Sequence, residues 1–217
     1  MSPELRSGIE SVVATLEGWC SLEKALAMVE LILDTRPEVV VEVGVFGGKS
    51  LIPQALALAE AQRGCIYGID PWKKEAALEG SNDPANDDWW ARVDLAGIHQ
   101  RCAEAVWSRG LDRHAVLIRA PSLVAVNLFA NTSVDVLYLD GNHSQECSTA
   151  DVKAWLPKVK PLGFIWFDDT DWATTKKAFG QLKARLNYIR DVGTCALFHK
   201  AKLISTGHRK DIIAPLS

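Results

Sequence analysis

Two stretches of the chain gather carboxylates around an imidazole. "VDVLYLDGNHS" carries Asp140 and, three residues on, His143, while "FIWFDDT" carries Asp168 and Asp169 side by side. Each acid follows an apolar run of strand character, and if those strands are parallel neighbours both sets fall on one rim of a sheet. Three carboxylates held together repel, which raises their pKa values unless a divalent cation neutralises them. Oxygen-only ligands select magnesium, manganese or calcium over zinc, so Asp140, Asp168 and Asp169 form a candidate metal set, with magnesium the expected ion. A metal there acidifies a substrate hydroxyl, and the imidazole of His143, with an ordinary pKa near ~6.5, takes its proton. The plain alternative is that Asp140 and Asp168 end strands as turn formers. Asn142 or Ser144 then caps the following helix and His143 is merely exposed.

A third stretch, "VVVEVGVFGGKSL" at residues 39–51, runs from an apolar strand into a glycine turn. A phosphate loop needs G-x-x-x-x-G-K-[ST], and Gly44 to Gly48 encloses one residue too few, although Asp140 is placed to imitate the magnesium carboxylate of such hydrolases. A dinucleotide fingerprint fails because Phe46 stands where the second glycine admits a pyrophosphate. What remains is E-x-G-x-x-x-G-x-S, read as Glu42, Gly44, Gly48 and Ser50, and an acid at that strand end suits a cationic or hydroxylated ligand better than a phosphate. The next strand ends "YGIDPW", so Asp70 borders the same crevice, where a carboxylate accepts hydrogen bonds from both hydroxyls of a ribose. Taken singly these residues also have structural readings: glycines end strands, Glu42 meets a lysine, Asp70 starts a turn before proline.

The elements that position these residues are legible as alternating patterns. "SLEKALAMVELILDT" spaces Leu22, Ala25, Leu26, Val29, Ile32 and Leu33 as a helix capped by Ser21 and ended before Pro37. Buried strands are expected at Val39 to Val43, Cys65 to Ile69, Ala115 to Ile118, Val134 to Leu139 and Phe164 to Phe167. Helices are expected at Leu51 to Ala61, Leu95 to Trp107, Ser122 to Phe129 and Gln145 to Leu156. Such alternation implies an α/β, doubly wound, Rossmann-like and mostly parallel sheet. "LNYIRDVGTCALFHK" leaves no room for a helix around Val192-Gly193-Thr194 and predicts a C-terminal antiparallel hairpin. A single domain over 1–217 is expected, with an N-terminal helical segment at 1–36. The long connection at 71–90 is expected to serve as a substrate loop or lid, Trp89 and Trp90 either closing over the site or anchoring in the core.

Lys plus Arg number 24 against 27 Asp plus Glu, a formal charge of -3 that calls for no nucleic acid partner. The 5 cysteines, without any C-x-x-C pairing, argue against a disulfide framework or zinc knuckle and fit a reducing cytosol. "MSPELRSGIE" lacks the segments of a signal peptide, and no apolar run reaches the ~18 residues of a membrane span, so a cytoplasmic protein without membrane partners is expected.

Glu42, Gly44, Gly48, Ser50 and Asp70 together resemble the class I S-adenosylmethionine-dependent methyltransferases. There a glycine turn after the first strand and an acid after the second hold the cofactor. Asp140-x-x-His143 and the pair Asp168–Asp169 sharpen this to the metal-dependent O-methyltransferases. The catechol type has Lys at the base position and Asn as the last acid, so His143 and Asp169 stand closer to the macrolide-sugar type. "GWCSLEKA", "GIDPW", "LDGNHS" and "WLPKVKPLGFIWFDD" are similar to a bacterial branch that includes proteins named cephalosporin hydroxylase, over about residues 18–200. The resemblance implies S-adenosylmethionine with its ribose on Asp70 and its cationic end near Glu42, an adenine contact from Ser122, and an apolar wall from Pro71 and Trp72. It further implies a divalent cation, a small-molecule or sugar hydroxyl as acceptor, His143 as base and a homo-oligomer. The rival of another class is a non-catalytic binding or assembly protein that keeps the fold.

Overall fold

The structure, a computed structural model, describes residues 1–201, and the remaining part of the expected 1–217 domain lies outside the described residues. Seven strands, β1 (Val39–Val43), β2 (Cys65–Ile69), β3 (Ala115–Ile118), β4 (Val134–Leu139), β5 (Val159–Phe167), β6 (Asn187–Val192) and β7 (Cys195–His199), form one sheet in the order β3-β2-β1-β4-β5-β7-β6. Strands β1 to β5 pair in parallel, and β7 runs antiparallel to both β5 and β6, as the hairpin pattern predicts.

The chain winds outward from β1 to β3 and then returns to lay β4 on the other side of β1. Strand order reverses there, so the loops leaving β1 and β4 diverge onto opposite faces and open a crevice at the carboxyl ends of the strands. The glycine turn follows β1 and the Asp140 loop follows β4.

Side chains alternate across the sheet, and two cores result. Val40, Val136, Tyr138 and Trp166 face one layer, built by α1 (Pro3–Thr15), α2 (Leu22–Thr35), α3 (Leu51–Glu60) and α6 (Leu95–Ser108). Val41, Val43, Leu137, Leu139 and Ile165 face the other, where α7 (Ser122–Ala125), α8 (Gln145–Trp155) and α9 (Lys176–Lys183) contribute Ala125, Trp155 and Leu182. Helix α2 begins where Ser21 Oγ accepts from Lys24 N at 3.1 Å and ends at Arg36, whose left-handed φ of 48° precedes Pro37.

The helix expected at Ser122 to Phe129 is α7 followed by a 3-10 turn over Val126–Leu128. Strand β5 starts at Val159, ahead of the expected Phe164, because Pro161 and Gly163 break the apolar run without ending the strand, at the cost of a shifted register against β4. The connection at 71–90 holds two short helices, α4 (Lys74–Ala77) and α5 (Pro84–Trp90), the latter capped by Asp83 through Ala85 N at 2.9 Å. Among the described residues no helix is long and apolar enough to cross a membrane.

Candidate active site

The glycine turn is held by contacts that tolerate no side chain. Gly44 takes a φ of 88°, and a Cβ there would lie 1.9 Å from the carbonyl oxygen of Asp140, so the β1 turn and the β4 loop touch. Gly48, at a φ of 83°, sits against Cys102 Sγ, which a Cβ would approach to 2.9 Å. Behind the turn, Ser50 Oγ donates to Glu42 at 2.7 Å and Gln54 Nε2 donates to the other carboxylate oxygen at 2.9 Å. The sequence pointed Glu42 at a ligand. Its side chain is instead fully buried with both oxygens engaged, and burial raises its carboxyl well above the usual range.

Asp70 stands at the carboxyl end of β2 and clamps the turn from the front. One carboxylate oxygen accepts from Val45 N at 3.1 Å and Phe46 N at 3.0 Å, and the other from Trp72 N at 2.7 Å. A carboxylate has about four acceptor sites, so one is left for a ligand hydroxyl, not the pair expected from both ribose hydroxyls. Burial raises its pKa, and the three N–H donors oppose the rise. Trp72, expected as an apolar wall for adenine, is buried with its indole N–H on Phe46 O at 2.9 Å. Ser122, expected as an adenine contact, donates to Asp151 Oδ1 at 2.5 Å and accepts from Trp155 Nε1 at 2.7 Å, so its hydroxyl joins α7 to α8.

The acids of the second cluster divide into two layers. In the deeper one, Asp168 is 4% exposed and one of its oxygens accepts from both Lys24 Nζ and Tyr138 OH, while the other accepts from Asp169 N at 3.0 Å. Burial raises the Asp168 pKa, but Lys24, Tyr138 and the Asp169 N–H outweigh it and hold this carboxyl below its ordinary value. In the shallower layer, His143 Nε2 lies 3.1 Å from Asp169 Oδ2 and 3.7 Å from Asp140 Oδ1, with the Trp172 ring 4.7 Å from the imidazole. Asp169 has a φ of 48°, a left-handed backbone that an aspartate tolerates better than most residues.

Tyr138 OH lies 2.7 Å from Asp140 and also within reach of Asp168, so it joins the layers. Burial and the charge of Asp168 push the Asp140 carboxyl up to about 6. Burial lowers the His143 pKa, but the neighbouring carboxylates of Asp140, Asp169 and Asp168 raise it overall.

Of the expected metal set, Asp140 and Asp169 lie with His143 so that each brings one donor atom within 4.8 Å of the others, while Asp168 lies deeper, with three donors on its two oxygens. Two carboxylates and one imidazole are donors of a kind that fits a divalent cation, with Asp168 behind them.

Four contributors escape sequence reasoning. Tyr138 was the most accessible, since a residue two before Asp140 on a strand shares its face. Lys24 lies 144 residues from Asp168 along the chain and carried no local signal. Asn142 is no helix cap: Ser144 caps α8 through Cys147 N at 3.2 Å, and Asn142 Nδ2 instead reaches the carbonyls of Ala76, Ala77 and Glu79 in the 71–90 connection. Trp19, in the turn before α2, meets Phe46 of the glycine turn at 5.1 Å and Trp89 of α5 at 5.2 Å.

The comparisons with known proteins bear on the family and the fold. A family model described as "Methyltransferase domain" matches residues 41–170, more than half of the chain, and sets aside the phosphate-loop and nicotinamide readings of the glycine turn. Two solved structures share the fold: the SAH-bound methyltransferase PaMTH1 of Podospora anserina (14% identity, TM-score 0.64, 93% of this chain and 89% of that one) and the O-methyltransferase TomG of Streptomyces achromogenes in complex with SAM (14% identity, TM-score 0.63, 93% and 91%). The uncharacterized protein y4gI of Sinorhizobium fredii is 25% identical over 144 residues, so the matched segment spans 63% of this chain and only 13% of that relative. Strand order, glycine turn and family match converge: the chain belongs to the methyltransferase-domain family and has the class I S-adenosylmethionine-dependent methyltransferase fold.

Proposed function

We propose that this chain transfers a methyl group from S-adenosylmethionine to a hydroxyl of a small molecule or sugar, with His143 as general base. One observation carries the reading: the contact between Gly44 and the Asp140 carbonyl abuts the cofactor turn and the Asp140–His143–Asp169 cluster at one point of the crevice. A donor held on the turn would lie beside the cluster, where the residues that handle the acceptor proton stand.

S-adenosylmethionine supplies an electrophilic methyl on a sulfonium, which becomes a neutral thioether as the S–CH3 bond breaks. Asp70 keeps one acceptor site for a ribose hydroxyl and fixes the turn through Val45 and Phe46. His143 takes the acceptor proton at Nε2, and Asp169 at 3.1 Å stabilises the imidazolium that forms. A divalent cation, when bound, lowers the pKa of the acceptor hydroxyl. Asp140 and Asp169 are the residues that hold it while His143 works as base, since Nε2 cannot ligate and accept a proton together. Each of the three side chains is 23–26% exposed, which leaves the cluster open to an acceptor from solvent.

Calorimetric titration with S-adenosylhomocysteine tests the cofactor half. Binding by the wild-type protein, weakened in Asp70→Ala, supports the reading, and absence of heat with the wild type ends it. Turnover on a panel of hydroxyl compounds then separates an enzyme from a binding protein that keeps the fold.

A further inference from the structure

The edge of the sheet away from the crevice carries a hollow of its own. A cavity of about 290 Å³ opens at the amino ends of β1, β4 and β5, walled by Arg36 and Glu38 before β1, Arg63 before β2, Asp135 on β4, and Lys160 and Leu162 on β5. That volume is at the lower end of small-molecule sites, which span ~300–1,000 Å³. The length of β1, about 17 Å, separates it from the glycine turn. Asp135 is engaged on both oxygens: one accepts from Glu38 N at 3.0 Å and Val39 N at 2.9 Å, the other from Lys160 Nζ at 2.7 Å. Arg63 pairs with Glu38 at 2.7 Å, and because both side chains are exposed the pair contributes little and opens readily. Arg36 gives one N–H to the Ala61 carbonyl at 3.0 Å and, among the described residues, forms no ion pair. Most of its guanidinium donors are therefore left for a ligand.

Backbone features place these groups. Arg36 takes its left-handed φ of 48° directly before Pro37, where glycine relaxes the backbone and a residue preceding proline ordinarily extends. Leu162 has a φ of 65°, and its apolar side chain, 53% exposed, borders the same hollow. Non-glycine residues held in this region mark places where a side chain has a use. Gly64 packs so closely on the Pro37 carbonyl oxygen that a Cβ would stand 2.2 Å from it, which brings the Arg63 turn against the Arg36 segment. Two guanidinium groups and one ammonium thus line a hollow with two carboxylates, a formal excess of one positive charge beside the apolar faces of Pro161 and Leu162. We propose that this hollow binds a small monocarboxylate with an apolar body, its carboxylate on Arg36 and Arg63 and its body against Pro161 and Leu162. A planar carboxylate matches the guanidinium fork. A phosphate monoester brings about 1.5 to 2 negative charges at neutral pH, more than the excess, and sets them against Glu38 and Asp135. No residue of the glycine turn or of the His143 cluster lines the hollow, so the ligand takes no part in methyl transfer and acts by stabilising the folded chain where β1, β4 and β5 begin.

The test uses the full chain and hexanoate as the probe, followed through backbone amide chemical shifts at constant ionic strength so that screening does not vary. Wild-type protein is expected to show saturable shifts at Arg36, Glu38, Gly64 and Leu162, with those of Gly44, Gly48 and His143 unmoved. Arg36→Gly removes the guanidinium while relaxing the backbone. Its thermal midpoint is expected to stay within about 4 °C of wild type while hexanoate binds at least about tenfold more weakly. Hexan-1-ol keeps the body without the charge, and inorganic phosphate the charge without the body; each is expected to bind at least about tenfold more weakly than hexanoate. Should Arg36→Gly melt far lower, Arg63→Gln carries the same expectation of weakened binding, since it disturbs only an exposed pair. Wild-type protein without saturable shifts up to ~20 mM hexanoate overturns the proposal. So do shifts centred on the glycine turn, phosphate or hexan-1-ol binding as tightly as hexanoate, or a folded variant that binds hexanoate as the wild type does.

Discussion

The side-chain amide of Asn142 donates to the carbonyl oxygen of Ala76 at 3.0 Å, tying the β4 loop to the end of α4 one residue away from His143. The carbonyls of Ala77 and Glu79 lie within 3.1 Å of the same nitrogen, so two N–H groups serve three acceptors. The connection at 71–90 is thereby latched beside His143 at one end, and its α5 end is held against Trp19 and Phe46 by aromatic contacts. Asn142→Asp removes both donors and sets a carboxylate against three carbonyls. Losing hydrogen bonds that are partly shielded from water costs about 1–3 kcal/mol, so amide exchange over residues 76–80 is expected to speed by about 10–100-fold. Unchanged exchange would remove the latch.

His143→Ala is expected to lower turnover about 10²-fold or more while leaving S-adenosylhomocysteine affinity close to wild type, because the imidazole lies on the acceptor side of the Gly44 contact. Single-turnover kinetics beside calorimetry measure the two effects separately. Full turnover without the imidazole would leave positioning of donor and acceptor to carry the reaction.

Asp151 gives a pH-dependent contribution to stability. Burial pushes its carboxyl up to about 6, against the bond from Ser122 and with the Glu79 charge adding to the rise. The folded state therefore holds this proton more tightly than the unfolded chain, where an aspartate titrates near ~3.9. The stabilisation is complete below that unfolded value and is lost as pH rises through about 6. Two pKa units correspond to about 3 kcal/mol as an upper bound. Asp151→Asn is expected to melt higher than wild type at pH ~8, with the gap closing towards pH ~4, as followed by thermal unfolding. A constant gap across that range would place the effect elsewhere.

Two glycines are expected to respond oppositely to alanine. Gly44→Ala drives a Cβ into the Asp140 carbonyl at a left-handed φ, and loss of the folded protein or of cofactor binding is expected. Gly180 lies within α9 with nothing near its Cβ position, so Gly180→Ala is expected to add about 0.5–1 kcal/mol through helix propensity. Chemical denaturation of both variants checks the contrast.

The strands and the helices between them were legible because their apolar patterns are local and their ends carry glycine, proline or a cap. The order in which the strands pair is set by crossovers and was readable only as a class, a doubly wound sheet with a closing hairpin. For the site, residue type at a strand end was sufficient to gather Asp140, His143, Asp168 and Asp169 on one rim. It did not show that Asp168 turns inward, because that depends on a lysine from a helix near the other end of the chain. Glu42 and Ser122 mark the same limit: a polar side chain beside a crevice satisfies itself inward when a buried donor stands nearer than a ligand.

The indoles around the glycine turn have a spectroscopic consequence. Trp19 is 66% exposed and Trp89 43%, yet their rings, with that of Trp90, lie 4.9 to 6.2 Å apart and come from two segments. Indole transition dipoles at such separations mix, and tilted rings divide the mixed absorption into bands of opposite circular dichroism. Movement of α5 away from the turn before α2 would decouple Trp19 from the other two. The protein thus carries its own unlabelled optical ruler, in which the strength of that split signal reports how far the 71–90 connection stands from the glycine turn.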